Sequence, residues 1–159
     1  GMIVSTREDK ATRERLLRAG VSQVSGGSRT SVGGYDHKEE QDDNSSQFDV
    51  SDQRSLDEVV GWLIDLGYIP SFCTACYREG RTGDRFMTLA KSGQIQNCCQ
   101  PNALMTLNEY LDDYASADVK EKGKALIKRE LAVITNEKVR AKAEEYIANI
   151  DAGQRDFRF

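Results

Sequence analysis

M-I-V-S-T at positions 2–6, K-A-T-R-E-R-L-L-R-A at 10–19 and V-S-Q-V-S at 21–25 form the stretch that decides the fold class. The first run is rich in β-branched residues and reads as a buried strand. The second carries Leu16 and Leu17 on one helical face and meets a stop at Gly20. The third reads as a second strand. A strand, a helix and a strand in so short a span imply parallel pairing through a right-handed crossover, hence an α/β start. Two parallel strands leave open edges. Such a pair predicts cover from the chain's own helices or self-association through the exposed edges.

Outward from this unit, residues 26–35 are rich in glycine and serine, and residues 36–53 are strongly polar. A connection of that length reads as a solvated surface loop. His37, the single histidine, falls in it and is expected to face solvent. A helix then opens at a capping box, Ser55 with Glu58. Its stripe is Leu56, Val59, Val60, Leu63 and Ile64, and Gly67 ends it. A short helix is predicted over 82–91, with Asp84 near its positive end. Pro101 and Asn102 are expected to open the next, which aligns Leu104, Leu107, Leu111 and Tyr114. Two more follow over 119–134 and from Val139 to Ile150. These stripes are core faces. The tail Arg155–Phe159 is aromatic and basic and is expected to dock on the body of the protein.

The composition narrows the function classes. With 159 residues, the chain fits one domain or one domain with a small appendage. A net charge of −4 and a pI near 5.1 give no basic footprint for nucleic acid or an anionic membrane surface. No apolar run approaches the roughly 20 residues of a membrane span. The expected partner is a protein or a small molecule, with no nucleic acid and no membrane. No secretory leader is legible in G-M-I-V-S-T-R-E-D-K, so a cytoplasmic location is expected.

The chemistry-bearing residues are the cysteines. All four lie within residues 73–99: C-T-A-C at 73–76 and N-C-C-Q at 97–100, with 22 residues between Cys76 and Cys99. A C-x2-C turn presents two thiolates to one metal centre, and a third arrives from a separate segment. Soft sulfur suits an iron–sulfur cluster or zinc alike. Three thiolates on a four-cornered cluster leave one corner open for chemistry. The residues alone leave three readings: a cluster on Cys73, Cys76 and Cys99, structural zinc on all four including Cys98, or redox and buried thiols. A second candidate lies at Ser28 and Arg29. Gly26 and Gly27 permit close backbone approach after the second strand, and arginine offers a bidentate fork for a carboxylate. A plain glycine-rich turn is the alternative there.

C-T-A-C-Y-R-E-G-R-T-G-D-R-F-M at 73–87 with N-C-C-Q-P-N-A-L-M-T at 97–106 resembles the C-terminal segment of the HydG family. These are the radical-SAM tyrosine lyases (2-iminoacetate synthases) of FeFe-hydrogenase maturation, related to ThiH. G-M-I-V-S-T-R-E at 1–8, V-S-Q-V-S-G-G-S-R-T-S-V-G-G-Y at 21–35 and A-G-Q-R-D-F-R-F at 152–159 also resemble that family, in the same order. The resemblance implies the last βα units of a TIM-type barrel over 1–53, then a mainly helical cluster-binding domain over 54–159, of the biotin- and thiamin-synthesis-associated type. It implies an auxiliary 4Fe–4S cluster, with an extra iron, on Cys73, Cys76 and Cys99. Ser28 and Arg29 would grip the carboxylate of L-tyrosine, which the parent enzyme breaks down to carbon monoxide and cyanide. Other hydrogenase maturation proteins are the implied partners. Arg78, Arg81 and Arg85, between the ligands, are placed to offset the charge of an anionic cluster. Arg7 and Glu8 follow the first strand at a barrel-mouth position. The family's non-cysteine iron ligand would lie upstream, and that role does not pass to His37. The C-x3-C-x2-C motif that holds the S-adenosylmethionine cluster is absent from this sequence. S-adenosylmethionine and its cluster therefore belong to a missing N-terminal part, and the chain alone is expected to be catalytically inert. Cys98 is a further departure. A stand-alone iron–sulfur or zinc-binding interaction module is the alternative function.

Overall fold

The computed structural model describes residues 2–30 and 50–159. His37 and the predicted loop, apart from its residues 50–53, lie outside the described residues. The chain divides into two compact units, Gly1–Val59 and Val60–Phe159.

In the first unit, strand β1 (Ile3–Val4) leads through helix α1 (Lys10–Arg18) to strand β2 (Gln23–Val24). The strands pair in parallel, Ile3 opposite Gln23 and Val4 opposite Val24, as the sequence pattern implies. They are shorter than expected: Val4 is buried, while Met2 and Ile3 face solvent. Asp9 caps α1, its carboxylate accepting from the Thr12 amide at 2.9 Å. Arg13 and Leu17, one turn apart on α1, are both buried. Arg13 is fully enclosed and pairs with buried Asp52, while also donating to the Ser25 carbonyl. Asp52 in turn accepts from Arg54 Nε at 2.8 Å, and its amide donates to the Thr6 carbonyl at 2.9 Å. A charge this deeply buried persists only when paired and hydrogen-bonded, and Asp52 meets both conditions.

The second unit is helical. Helix α2 (Leu56–Asp65) gives its first residues to the first unit and the rest to the second. The expected capping box is formed: Glu58 N donates to Ser55 Oγ at 3.2 Å, and Ser55 N to the Glu58 carboxylate at 2.7 Å. Burial runs continuously from Val59 to Ile64, wider than the predicted stripe, and takes in Trp62. Then follow α3 (Ala75–Arg78), α4 (Gly83–Lys91), α5 (Gln96–Asp113), α6 (Ala117–Ala132) and α7 (Glu137–Asp151). Helix α5 packs against both α6 and α7. Leu104, Leu107 and Leu111 of α5 meet Leu126 and Ile127 of α6 and Ile147 and Ile150 of α7 in one core. Among the described residues the architecture is thus mainly helical, with one small parallel pair.

Two expectations fail in α5. The helix opens at Gln96 rather than at Pro101, which sits inside it. The earlier amides are served by tight turns, with both Cys98 N and Cys99 N donating to the Ile95 carbonyl at 3.0 and 2.7 Å. Pro101 lies in the second turn of the helix, and its missing N–H costs the ladder the bond to the Asn97 carbonyl. Tyr114, expected in the core stripe, is exposed at the C-cap.

Gly123 of α6 lies tightly against Leu111 of α5. A Cβ there would lie 2.5 Å from a methyl of buried Leu111. Helix propensity favours alanine over glycine by about 1 kcal/mol, but overpacking a tight core costs about 1–3 kcal/mol. Gly123→Ala is therefore expected to lower stability by about 1 kcal/mol. Thermal denaturation reads the sign, and a rise in Tm would show that the α5–α6 seam yields.

Candidate metal centre

Local geometry explains how the cysteine segment is held. Cys73 precedes α3 and Cys76 lies within it. The Ala75 amide donates to Cys73 Sγ at 3.4 Å, which turns a backbone donor toward the sulfur. Helix α3 is only four residues long and closes on Gly80, whose φ of 62° suits glycine. The Arg81 amide then bonds back to the Cys76 carbonyl at 2.8 Å, and the Gly80 amide to the Tyr77 carbonyl at 3.4 Å. This is a Schellman ending, and it returns the chain over the second cysteine. Cys98 and Cys99 arrive on the first turn of α5.

All four thiols are free; Cys73, Cys76 and Cys98 are half-buried and Cys99 is exposed. Desolvation pushes the Cys99 thiol up, and Cys76, Cys73 and Cys98 push it further, while Arg81 opposes them. The two cysteine segments are therefore electrical neighbours. Among the described residues no three His, Cys, Asp or Glu side chains converge on a single-ion site. A lone zinc would need its sulfurs all about 2.3 Å from one point, whereas a cluster spreads its thiolates over separate irons.

The tail docks on the body, as expected, and it does so on this segment, through contacts no local pattern announces. Arg78 forks onto Asp156, with one arm at 2.9 Å. Arg158 Nε donates to Glu79 at 2.6 Å. Arg81 Nη2 donates to the Phe159 carbonyl at 2.6 Å. Asn102, buried on α5, accepts from the Phe159 amide at 2.9 Å. Arg155 grips Asp113 at the end of α5 with 2.5 and 3.0 Å contacts. Phe157 stacks on Tyr146, with ring centroids 4.6 Å apart. Two cavities flank the tail. One of about 130 Å³ is lined by Cys73, Thr74, Asn102 and Asp156 among others, and one of about 450 Å³ by Arg81, Arg85, Arg158 and Tyr146 among others.

Ser28 and Arg29 belong to the first unit, the cysteines to the second. Both are half-buried. Arg29 Nη1 donates to the Gln53 carbonyl at 3.0 Å. The glycines before them do permit close approach, and the neighbour that uses it is α2. A Cβ on Gly26 would lie 3.2 Å from Val59, and one on Gly27 3.1 Å from the Leu56 amide. Arg7 and Glu8 lie exposed in the turn after β1. Asn102 and the tail's partners are what sequence reasoning missed.

The hydrogen bonds from Arg78, Arg158 and Arg155 hold the Asp156, Glu79 and Asp113 carboxyls below their ordinary values. Groups so depressed lend their stability in full above the ordinary carboxylate range and lose it as pH falls through their lowered values. The tail should therefore stay docked down to about pH 4 and loosen below it. Hydrogen exchange of the tail amides across that range checks this. Equal protection at both ends would assign docking to Asn102 and the aromatic rings alone.

The comparisons with known proteins agree with this anatomy. Residues 1–69 match the family of the Biotin and Thiamin Synthesis associated domain, and so lie mostly outside 54–159, where that type was expected. No curated protein matches. The crystal structure of HydG, a maturase of the [FeFe]-hydrogenase, superposes with a TM-score of 0.90 at 46% identity. The match covers 100% of this chain and 34% of that one, so the chain spans about a third of the HydG length. Over its whole extent the chain is HydG-like, of the C-terminal type, and its residues 1–69 match the Biotin and Thiamin Synthesis associated domain.

Proposed function

We propose that this chain is the cluster-binding part of a radical-SAM tyrosine lyase that makes carbon monoxide and cyanide for FeFe-hydrogenase assembly. One observation carries the reading: a chain that matches HydG throughout, at 46% identity, holds Cys73 and Cys76 around α3 and Cys99 on the first turn of α5 within one compact unit. The donor set fits an iron–sulfur centre, being soft sulfur with backbone and arginine donors around it. Cys73, Cys76 and Cys99 would hold an auxiliary 4Fe–4S cluster with an extra iron. When bound, that cluster supplies the iron that collects the diatomic ligands. Arg29 offers its guanidinium, and Ser28 its hydroxyl, to the tyrosine carboxylate. The β1–α1–β2 unit stands as the last βα part of the barrel. S-adenosylmethionine and its cluster belong to the part of the enzyme beyond this chain, so the chain alone makes no p-cresol from tyrosine. A cytoplasmic location among other maturation proteins accords with four free thiols. No helix among the described residues is long and apolar enough to cross a membrane.

Anaerobic reconstitution with iron and sulfide tests the reading. About four irons per chain are expected, with Cys99→Ser abolishing uptake and Cys98→Ser keeping most of it. Stoichiometric zinc with no iron uptake, lost in Cys98→Ser, would replace the cluster with a four-cysteine structural site. Binding of tyrosine that Arg29→Ala leaves unchanged would remove Arg29 from the substrate site.

A further inference from the structure

Three arginines lie between the cysteine segments, and the structure separates their tasks. Arg78 is committed to Asp156 by both arms. Arg85 reaches the Glu79 carbonyl at 3.3 Å and lies exposed. Arg81 is different in each respect. Its amide is bonded to the Cys76 carbonyl at 2.8 Å, which ties its backbone to a predicted ligand. Its Nη2 is held by the Phe159 carbonyl at 2.6 Å. Its Nε is buried with no hydrogen-bond partner. A buried N–H left without an acceptor is costly and calls for an explanation.

Phe159, which holds Arg81, is itself held. Its amide donates to Asn102 Oδ1 at 2.9 Å, and Asn102 Nδ2 reaches its carbonyl at 3.4 Å. Asn102 sits on α5, less than one turn beyond Cys99. The three contacts form a closed circuit: Cys76 to Arg81, Arg81 to Phe159, Phe159 to Asn102 on the helix of Cys99. One buried donor in that circuit without an acceptor, Arg81 Nε, belongs to a cation.

We propose that Arg81 is the positioning residue of the metal centre, donating its unused Nε–H to an anionic sulfur of the bound cluster while the docked tail fixes its guanidinium. This rests on the reading that Cys73, Cys76 and Cys99 hold a cluster. Hydrogen bonds to cluster sulfurs and nearby charge both set reduction potential and retention.

The test compares Arg81→Gln, Arg81→Lys, Arg85→Gln and Asn102→Ala in the reconstituted chain. Reduction adds a negative charge to the cluster, so Arg81→Gln should lower the midpoint potential and speed iron loss to a chelator several-fold. Arg81→Lys keeps the charge without the planar Nε donor and should recover only part of both. Arg85→Gln should behave as wild type. Asn102→Ala should move in the direction of Arg81→Gln and, in the metal-free protein, raise hydrogen exchange over residues 75–82. Arg81→Gln and Arg85→Gln both matching wild type in potential and retention would overturn the proposal. So would unchanged exchange over 75–82 in metal-free Asn102→Ala, which removes the tail's part in it. A wild-type chain that takes up no iron would overturn the cluster reading first, and the sulfur contact with it, while the exchange measurement still reads the circuit. Should Arg81→Gln fail to fold, Arg81→Lys carries the comparison.

Discussion

Helix α5 is asked to do three things along one axis. Its first turn presents Cys98 and Cys99, its middle fills the core with Leu104, Leu107 and Leu111, and its end offers Asp113 to Arg155. A helix buried this deeply cannot rotate or slide without opening the contacts with α6 and α7. Close packing of methyls thus sets where the third cysteine stands. The same packing fixes Asn102, whose side chain is 3% exposed and serves the tail rather than the core. The rigid half of the proposed centre is α5, and the other half must be brought to it.

That other half is weak by construction. Helix α3 has four residues, and only Ala75 among them is buried. So short a helix has almost no hydrogen-bond ladder of its own. Its Schellman ending at Gly80 settles the path of the chain but not its place against α5. The place comes from the tail, through charge pairs with Arg78 and Glu79 and the carbonyl of Phe159 on Arg81. Each exposed ion pair is weak alone. Combined with the stacked rings of Phe157 and Tyr146 and the paired amide of Phe159, they act as one attachment.

This division explains what could be read from the chain in advance. The capping box at Ser55 and Glu58, the stop at Gly67, the parallel β1–β2 pair and the stripes of α6 and α7 depend on neighbours a few residues away, or on one periodic face, and they were legible. The place of Arg13 was not, because a periodic reading puts arginine on the outer face while Asp52 sits 39 residues further along. The tail's partners were hidden for the same reason: Arg78 and Asp156 are 78 residues apart. Pro101 misled in a different way. Proline favours the start of a helix, but it also tolerates a place just inside one, so it marked the neighbourhood of the start and not its position. At the glycines 26 and 27 the permissive backbone was legible, and the neighbour that uses it, α2, was not.

The arginines around the thiols settle how charge is distributed. Burial first, and then the neighbouring thiols, push the Cys99 thiol up. Metal binding requires the deprotonated form, so a chain that gathers thiols without cations nearby works against its own ligand set. Placing all three arginines freely against the sulfurs would reverse the imbalance and leave the segment without ties to the tail. The structure takes a middle course: Arg78 pairs with Asp156 and Arg158 with Glu79, while Arg81, held by the backbone oxygen of Phe159, keeps a buried Nε–H without an acceptor. That open donor is the physical reason to look for the cation of the proposed centre at Arg81 rather than at either neighbour.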